Sequence, residues 1–327
     1  MKILLIRFSS IGDIVLTSPV VRCLKAQLPG MELHVLTKLR FRELYALNPS
    51  VDKVYTIEAS VDEVIPELRK EHYDHIVDLQ RNLRSIGLWR KLRRPRTTFP
   101  KLNIRKWLLV NFHLDLMPDV HIVDRYFRAV RSLGVVNDGK GLDFFIDPTD
   151  EMDINDLPSE YHEGYIAMVI GGKHYTKILP AHKAAEVIRS LDRPVILLGG
   201  AEDHDRGEEI IRLAGPVVLN TCGKYSLGQS ASLLYQARSV ITNDTGLMHI
   251  AAAFRKRIVS VWGNTLPELG MYPYLPEGEE AFIVEEVKGL HCRPCSKIGF
   301  SSCPKKHFRC MENQDSASIA RNARYTG

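Results

Sequence analysis

Residues 239–253 predict a strand, a tight turn and a helix, and they read Ser239-Val240-Ile241-Thr242-Asn243-Asp244-Thr245-Gly246-Leu247-Met248-His249-Ile250-Ala251-Ala252-Ala253. Asp244 is placed to cap the helix, and Thr245 and Gly246 put unpaired backbone N–H groups at its positive end. Such a helix start favours a phosphate or pyrophosphate, and His249, one turn on, adds a further donor. A cap that only stabilises the helix, by about 1 kcal/mol, fits the same residues.

The N-terminus has a matching pattern. Residues 1–8 form a mostly apolar run that suits a buried parallel strand, and the polar loop that follows contains Gly12, which can adopt a positive φ. Asp13 then lies at the carboxyl edge of the first strand, where ligands bind in open α/β sheets, and is a candidate general base. A helix cap is its structural alternative. The loop has one glycine and not three, so no nicotinamide site is predicted.

Strands and helices alternate through both halves of the chain, which predicts an α/β protein with doubly wound parallel sheets. Residues 136–164, rich in Asp, Pro and Gly, break the alternation and are interpreted as the linker. The predicted domains are 1–155 and 156–315, and the tail 316–327 is predicted to form a helix that packs back on the first domain. The predicted strands are 2–8, 32–37, 53–57, 75–79, 165–170, 195–198, 217–219, 240–242 and 258–261.

Composition is that of an ordinary globular protein, with 45% hydrophobic and 25% charged residues among 327. The sequence has no run of about 20 apolar residues and no signal-peptide pattern, so a cytoplasmic protein is expected. The net charge is only +5, but residues 81–106 carry ten Lys or Arg and no Asp or Glu. This basic patch suits acidic lipid headgroups, a phosphorylated glycolipid or nucleic acid, and Trp89 and Trp107 within it fit a membrane interface. A solvated basic helix face with core tryptophans is the structural alternative.

Four of the six cysteines fall close together, at Cys292, Cys295, Cys303 and Cys310. Disulfides are disfavoured in a reducing compartment, whereas four thiols with one Cys-x-x-Cys pair suit a structural zinc ion. The later spacings differ from those of a regular zinc ribbon, so free thiols and a redox function remain open alternatives. Cys23 and Cys222 are predicted to be core residues.

Taken together, several segments resemble glycosyltransferase family 9, the ADP-heptose:lipopolysaccharide heptosyltransferases. The matching segments are 11–19, 77–85, 174–180, 198–203, 244–249 and 251–253. Each is weak alone, and their order and spacing are fairly specific. The resemblance implies a GT-B architecture, in which two Rossmann-like domains face each other across a cleft.

The resemblance also implies roles for individual residues. Asp13 would act as the catalytic base, and Lys177 would neutralise the leaving phosphates. The donor-binding residues would be Asp244, Thr245, Gly246, His249 and Glu202, and the acceptor-binding residues Gln80, Arg81 and Arg84. With one base and no second carboxylate motif, we expect inversion at the anomeric carbon. Asp203-His204-Asp205 is similar to an Asp-x-Asp metal motif, but it opens a charged helix, so no metal is expected to be required for catalysis.

The activity implied is transfer of heptose from ADP-heptose to the lipopolysaccharide inner core on lipid A. The expected partners are an ADP-sugar donor, an anionic glycolipid acceptor and the inner face of the cytoplasmic membrane, reached through the basic patch 81–106. The same fold with another nucleotide sugar, a basic zinc-stabilised nucleic-acid-binding protein and a catalytically silent relative remain alternatives. No recognised nucleic-acid motif is present, so nucleic acid is not an expected partner.

Overall fold

The computed structural model describes residues 1–215 and 217–324. The chain divides into two compact units. Unit 1 consists of Met1–Lys101 with Val120–Phe145, and unit 2 consists of Leu102–Asp119 with Ile146–Gly327. Across the described residues, no helix combines the length and the apolar content needed to cross a membrane.

Strands and helices alternate as the sequence predicts. The strands are β1 Lys2–Ile6, β2 Glu32–Lys38, β3 Lys53–Ile57, β4 His75–Asp78, β5 Arg96–Thr98, β6 Ile166–Val169, β7 Val195–Leu198, β8 Val218–Asn220, β9 Ser239–Asn243, β10 Arg257–Trp262 and β11 Phe282–Glu286. The helices are α1 Ile11–Val15, α2 Ser18–Gln27, α3 Glu43–Ala46, α4 Ile65–Lys70, α5 Leu83–Leu92, α6 Asn103–Phe112, α7 Ile122–Phe127, α8 Ala181–Arg189, α9 His204–Ala214, α10 Leu227–Gln236, α11 Gly246–Ala253, α12 Arg309–Glu312 and α13 Ser316–Ala323.

The sheet of unit 1 has five parallel strands in the order β3-β2-β1-β4-β5. Its central strand β1 is buried from Ile3 to Ile6, which is why this run is continuously apolar. After β3 the chain returns to the far side of β1 to add β4. The loops after β1 and β4 therefore diverge at a topological switch point, where open α/β sheets bind their ligands.

The sheet of unit 2 has six parallel strands in the order β11-β10-β9-β6-β7-β8. Strands β7 and β8 are added on one side of β6, and the chain then returns to add β9, β10 and β11 on the other. The switch point of this sheet lies between β6 and β9. The two sheets confirm the prediction of a doubly wound α/β fold.

The tail forms the predicted helix, α13, but the expectation that it packs on the first domain is wrong. Ile319, Ala320 and Ala323 are buried in the hydrophobic core of unit 2, and α13 contacts α8 and β10. Ser239 Oγ also donates a hydrogen bond of 2.6 Å to the Ala323 carbonyl oxygen. The part of the predicted tail at 325–327 lies outside the described residues.

The boundary between the units also differs from the predicted one at 155. Unit 2 resumes at Ile146, because Asp150 accepts a hydrogen bond from Ser226 Oγ and the Met152 N–H donates to Ser232 Oγ of α10. Residues 102–119 also belong to unit 2, where His113 lines a cavity with Glu286, the last residue of β11. These long-range contacts leave no mark in the local sequence pattern.

Candidate active site

Asp13 lies in the first turn of α1, directly after the loop that follows β1. Ser10 precedes this helix, and its N–H and Oγ donate hydrogen bonds of 3.1 and 2.8 Å to Asp13 Oδ2. The Arg7 guanidinium pairs with Asp13 Oδ1 at 2.6 Å. The Asp13 side chain is 27% exposed, so it stabilises its helix start and still has one side open to a ligand.

Two opposed effects act on the pKa of Asp13. Burial alone would raise it, but the positive charge of Arg7 and the hydrogen bonds from Ser10 outweigh burial and hold it below its ordinary value. Asp13 is therefore ionised at neutral pH and able to accept a proton, as a general base must.

Arg7 is a site residue that the sequence analysis did not identify. It is buried, and its Nε donates to the Ser9 carbonyl oxygen at 2.9 Å. Its Nη1 donates to the Leu79 carbonyl oxygen at 2.5 Å. The Tyr126 ring lies 5.8 Å from the guanidinium carbon. Arg7 thus joins the loops after β1 and β4 and fixes the position of the Asp13 carboxylate.

The three predicted acceptor-binding residues lie in the loop after β4 or at the start of α5. Gln80 Oε1 accepts the Phe8 N–H at 2.9 Å, and the Arg81 guanidinium donates to the Phe99 carbonyl oxygen at 2.9 Å. Both side chains therefore have internal partners. Arg84 is exposed.

Lys101, which the sequence analysis did not single out as a site residue, lies in the same electrostatic environment as these residues. Burial lowers the pKa of Lys101, and the charges of Arg7 and Arg81 lower it further. The carboxyl edge of this sheet therefore combines two carboxylates, those of Asp13 and of the buried Asp78 at the end of β4, with several cations.

In unit 2, Lys177 and Asp244 form an ion pair at the switch point between β6 and β9. Lys177 comes from a short 3-10 turn after β6, and Asp244 directly follows β9. Thr265 Oγ1, in the loop after β10, donates a second hydrogen bond of 3.0 Å to the Asp244 carboxylate. The prediction that Asp244 caps the following helix is wrong, because Thr245 occupies the N-cap position and α11 begins at Gly246.

Unpartnered polar atoms surround this ion pair. Within the described part of the chain, Thr245 Oγ1 and both polar side-chain atoms of Asn264 are buried without a hydrogen-bond partner. A buried polar group left unpaired costs about 1–3 kcal/mol, so such groups suit a polar ligand that pairs with them. His249 is buried in α11, one turn after its start. Asn264, like Arg7 and Lys101, was not predicted from the sequence.

The loop after β7 carries Glu202, which is exposed at the carboxyl edge of the same sheet. Its neighbour Asp203 is buried and accepts the Gly200 N–H at 3.0 Å and an Arg206 guanidinium N–H at 2.7 Å. A Cβ atom on Gly171 would collide with the Asp203 carboxylate, so the loop after β6 requires glycine there. Asp203 thus has a structural role, and Asp205 of the Asp-x-Asp motif is exposed.

Residues 292–310, which we name the cysteine segment, are hydrogen-bonded to these ligand-facing loops. The Phe300 N–H donates to Thr176 Oγ1 at 2.8 Å, beside Lys177, and the Cys295 N–H donates to the Asn264 carbonyl oxygen at 3.2 Å. The Arg293 guanidinium donates to the Thr265 carbonyl oxygen at 3.0 Å.

The thiols of the cysteine segment lie close enough to affect one another. Burial, together with the neighbouring Cys292, Cys310 and Cys303, raises the pKa of Cys295 to about 12. Cys292 Sγ lies 3.8 Å from Nε2 of His307. Among the described residues, no three potential ligand atoms of the cysteine segment lie within 4.8 Å of one another. Such a group is formed elsewhere, by Glu32, His34 and Glu71. Zinc binding by these cysteines therefore stays a prediction.

The cluster of Glu32, His34 and Glu71 lies at the amino end of β1, opposite the edge that carries Asp13. Lys2 and Lys53 both form ion pairs with Glu71, at 2.6 and 2.7 Å. Because lysines already neutralise its carboxylates, we interpret this cluster as a structural ion-pair network.

The chain is similar to known heptosyltransferases over most of its length. The lipopolysaccharide heptosyltransferase 1 of Campylobacter coli is 26% identical over 290 residues, which cover 81% of this chain and 84% of the relative. The lipopolysaccharide heptosyltransferase 2 of Salmonella typhimurium is 25% identical over 316 residues, which cover 89% and 90%. The solved E. coli ADP-heptose lps heptosyltransferase II superposes with a TM-score of 0.69 at 22% identity, over 96% of this chain and 98% of that one.

The last of these likenesses establishes the GT-B fold class that the sequence predicted. Residues 61–297 match the sequence model described as glycosyltransferase family 9 (heptosyltransferase), which is more than half of the chain. The protein therefore belongs to glycosyltransferase family 9, the heptosyltransferase family.

Proposed function

We propose that this protein transfers heptose from ADP-heptose to the lipopolysaccharide inner core, with inversion at the anomeric carbon. The observation that carries the proposal is the Lys177–Asp244 ion pair at the switch point of the second sheet, directly before α11. The substrates are supported by the names of the relatives from C. coli and S. typhimurium, which are lipopolysaccharide heptosyltransferases, and of the solved E. coli protein, an ADP-heptose heptosyltransferase.

Unit 2 supplies the donor half-site. Lys177 and the N-terminus of α11 stabilise the negative charge that develops on the diphosphate as it leaves the sugar. Asp244 orients the Lys177 ammonium group, and Thr245 Oγ1 and Asn264 Nδ2 donate to the nucleotide diphosphate. His249 contributes from the next turn, and Glu202 contacts the nucleotide at the neighbouring strand end. With these donors in place, the reaction needs no divalent metal.

Unit 1 supplies the acceptor half-site. The ionised Asp13 carboxylate removes the proton from the acceptor hydroxyl as that oxygen attacks the anomeric carbon. The bond between the anomeric carbon and the ADP oxygen breaks on the opposite face, which inverts the configuration. Arg84 and Lys101, together with Gln80 and Arg81, bind the anionic groups of the acceptor. A lipid A-linked acceptor places this reaction at the cytoplasmic face of the inner membrane.

Calorimetric titration with ADP, GDP and UDP, without added metal, tests the donor half-site. We expect selective ADP binding that is lost in Lys177→Ala and retained in Asp13→Asn, whose turnover falls by about 10²–10⁴-fold. Lys183→Ala is the matched control, because Lys183 pairs with Glu186 on α8. Selective binding of GDP or UDP would mean that the donor is a GDP-sugar or a UDP-sugar and not ADP-heptose. If none of the three nucleotides binds, the transferase proposal is wrong.

We also propose that the cysteine segment binds a structural metal ion, and zinc suits its thiols best. Cys292, Cys295, Cys303 and Cys310 supply four thiols, which matches the ligand number of structural zinc sites, and His307 lies beside Cys292. Metal analysis of the purified protein should give about one zinc per chain, lost in Cys295→Ser and kept in Cys23→Ser. A metal-free protein whose unfolding temperature does not change on addition of zinc would refute this.

A further inference from the structure

Helix α6 exposes an unusual amount of apolar surface. Ile104, Trp107 and Phe112 are 76%, 54% and 63% exposed. Trp107 lies one turn after Ile104, and its ring is in contact with that of Phe112. The chain continues with Leu114 and Leu116, which are 49% and 48% exposed. Contiguous apolar surface of this kind on a globular protein marks an interaction site.

Within α6 itself, the charged side chains are all basic. Residues 79–114 contain no Asp or Glu, and the basic patch 81–106 ends within α6 at Arg105 and Lys106. Arg105 is exposed. A surface that combines cations with apolar side chains complements an anionic lipid interface, where headgroups meet the cations and acyl chains meet the apolar groups.

The structure distinguishes the two tryptophans of the basic patch. Trp89 Nε1 donates to the Arg94 carbonyl oxygen at 2.8 Å, and the Arg96 guanidinium lies 4.5 Å from the Trp89 ring centre. Trp89 is thus engaged within unit 1. The Trp107 side chain is only partly covered by the rest of the protein, and its ring centre lies 5.2 Å from that of Phe112. Tryptophan prefers the membrane–water interface, and Trp107 is the one exposed enough to reach it.

We propose that α6 docks on an anionic bilayer surface, with Ile104, Trp107 and Phe112 inserted at the acyl boundary and Arg105 among the headgroups. A helix of ten residues is about 15 Å long, so it lies in the interface and does not span the membrane. Arg105 and Lys106 of α6 carry the same charge, which opposes pairing of this helix with α6 of a second copy of the chain. The biological role of this docking rests on the proposed function, because a lipid-linked acceptor lies in such a bilayer. Lipid binding itself is measured without turnover.

The test uses the full chain and its own fluorescence. Vesicles of phosphatidylcholine with roughly 30% phosphatidylglycerol are compared with vesicles of pure phosphatidylcholine. The phosphatidylglycerol gives the first set an anionic surface potential. We expect the anionic vesicles to shift tryptophan emission to the blue, brominated acyl chains to quench it, and both signals to disappear in Trp107→Phe. Trp89 and Trp262 remain in that variant and report that the protein is folded.

Co-sedimentation with the same vesicles measures affinity. Arg105→Ala should weaken binding about five-fold, which is the roughly 1 kcal/mol expected for one basic residue at an anionic surface. Phe112→Ser should weaken vesicle binding more than Arg105→Ala does. Leu213→Ser, which replaces an exposed apolar residue on α9, should leave it unchanged. Equal binding to both vesicle types, or a dimer in solution that Trp107→Ser abolishes, would overturn the proposal.

ADP titration of the same preparation separates the two proposals. ADP binding without vesicle binding refutes membrane docking by α6 and leaves the transferase proposal standing. Vesicle binding without nucleotide binding refutes the transferase and leaves the docking surface.

Discussion

Replacing Arg7 by glutamine tests whether Asp13 is the base and whether Arg7 controls its protonation. The guanidinium and the carboxylate are 2.6 Å apart, and the carboxylate is partly buried. Arginine beside an aspartate typically lowers the carboxyl pKa by about 1–3 units. In Arg7→Gln the burial of Asp13 remains while the compensating charge is gone, so the pKa of Asp13 should rise by a shift of that size.

The assay is the pH profile of kcat/KM, whose acid limb reports the pKa of an essential base in the free enzyme. The wild-type base stays ionised below the ordinary Asp pKa of about 3.9, so its activity should be flat over the range in which the protein is folded. In Arg7→Gln the acid limb should move up by about 1–3 pH units, so activity should fall at a pH at which the wild type is still fully active. Above the shifted pKa the variant carboxylate is the stronger base, so activity near pH 8 should largely return.

Two controls keep this experiment decisive. Arg22→Gln removes another arginine of unit 1, which pairs with Asp138 at 2.7 Å, and should leave the acid limb unchanged. ADP affinity of Arg7→Gln should equal that of the wild type, because the proposed donor half-site lies in unit 2. If Arg7→Gln is folded, binds ADP and keeps the wild-type pH profile, the assignment of Asp13 and Arg7 is wrong.

Three further predictions concern the donor half-site and stability. Asn264→Ala should weaken ADP binding about ten-fold while raising the free energy of unfolding or leaving it unchanged, since it removes buried unpaired polar atoms; calorimetry and urea unfolding measure the two. Arg22 lowers the pKa of Asp138 to about 2. The ion pair therefore contributes up to about 2 kcal/mol to the free energy of unfolding at neutral pH, and this contribution is lost as the pH falls from about 4 to 2. The stability difference between wild type and Asp138→Asn should therefore shrink from pH 6 to pH 3 in urea titrations. Ile319→Ala should cost about 2–5 kcal/mol in thermal or urea unfolding, because α13 belongs to the core of unit 2, and a cost below 0.5 kcal/mol would contradict that packing.

The elements with strong local signals were predicted from the sequence to within a few residues. Strands β3 and β7 have the predicted bounds, β7 as a fully buried apolar run and β3 as a half-buried run of β-branched and aromatic residues. Strands β5 and β11 were not predicted, since both are partly exposed edge strands with polar or charged residues. Helix α6 was also not predicted. Its apolar side chains are exposed, so its sequence lacks the pattern of a helix that buries one apolar face.

The site was only partly predictable for a different reason. Asp13 could be proposed from its place after a strand end, where α/β sheets bind their ligands, whereas Lys177 was proposed only through the resemblance to the family. The role of Asp244 could not be read locally, because its partner Lys177 is 67 positions away in the chain. Arg7 reaches the loop after β4, 72 positions away, and the Asn264 side chain is identified only by its burial without a partner; neither residue belongs to a motif of its own.

The cysteine segment has a consequence for the thermodynamics of nucleotide binding. Its hydrogen bonds to Thr176, Asn264 and Thr265 immobilise two loops of the donor half-site during folding. The conformational entropy of those loops is then lost before ADP arrives and does not oppose binding. A protein in which this segment is loosened, for example Arg293→Ala, should bind ADP with a more unfavourable entropy, although every side chain that faces the nucleotide is still present.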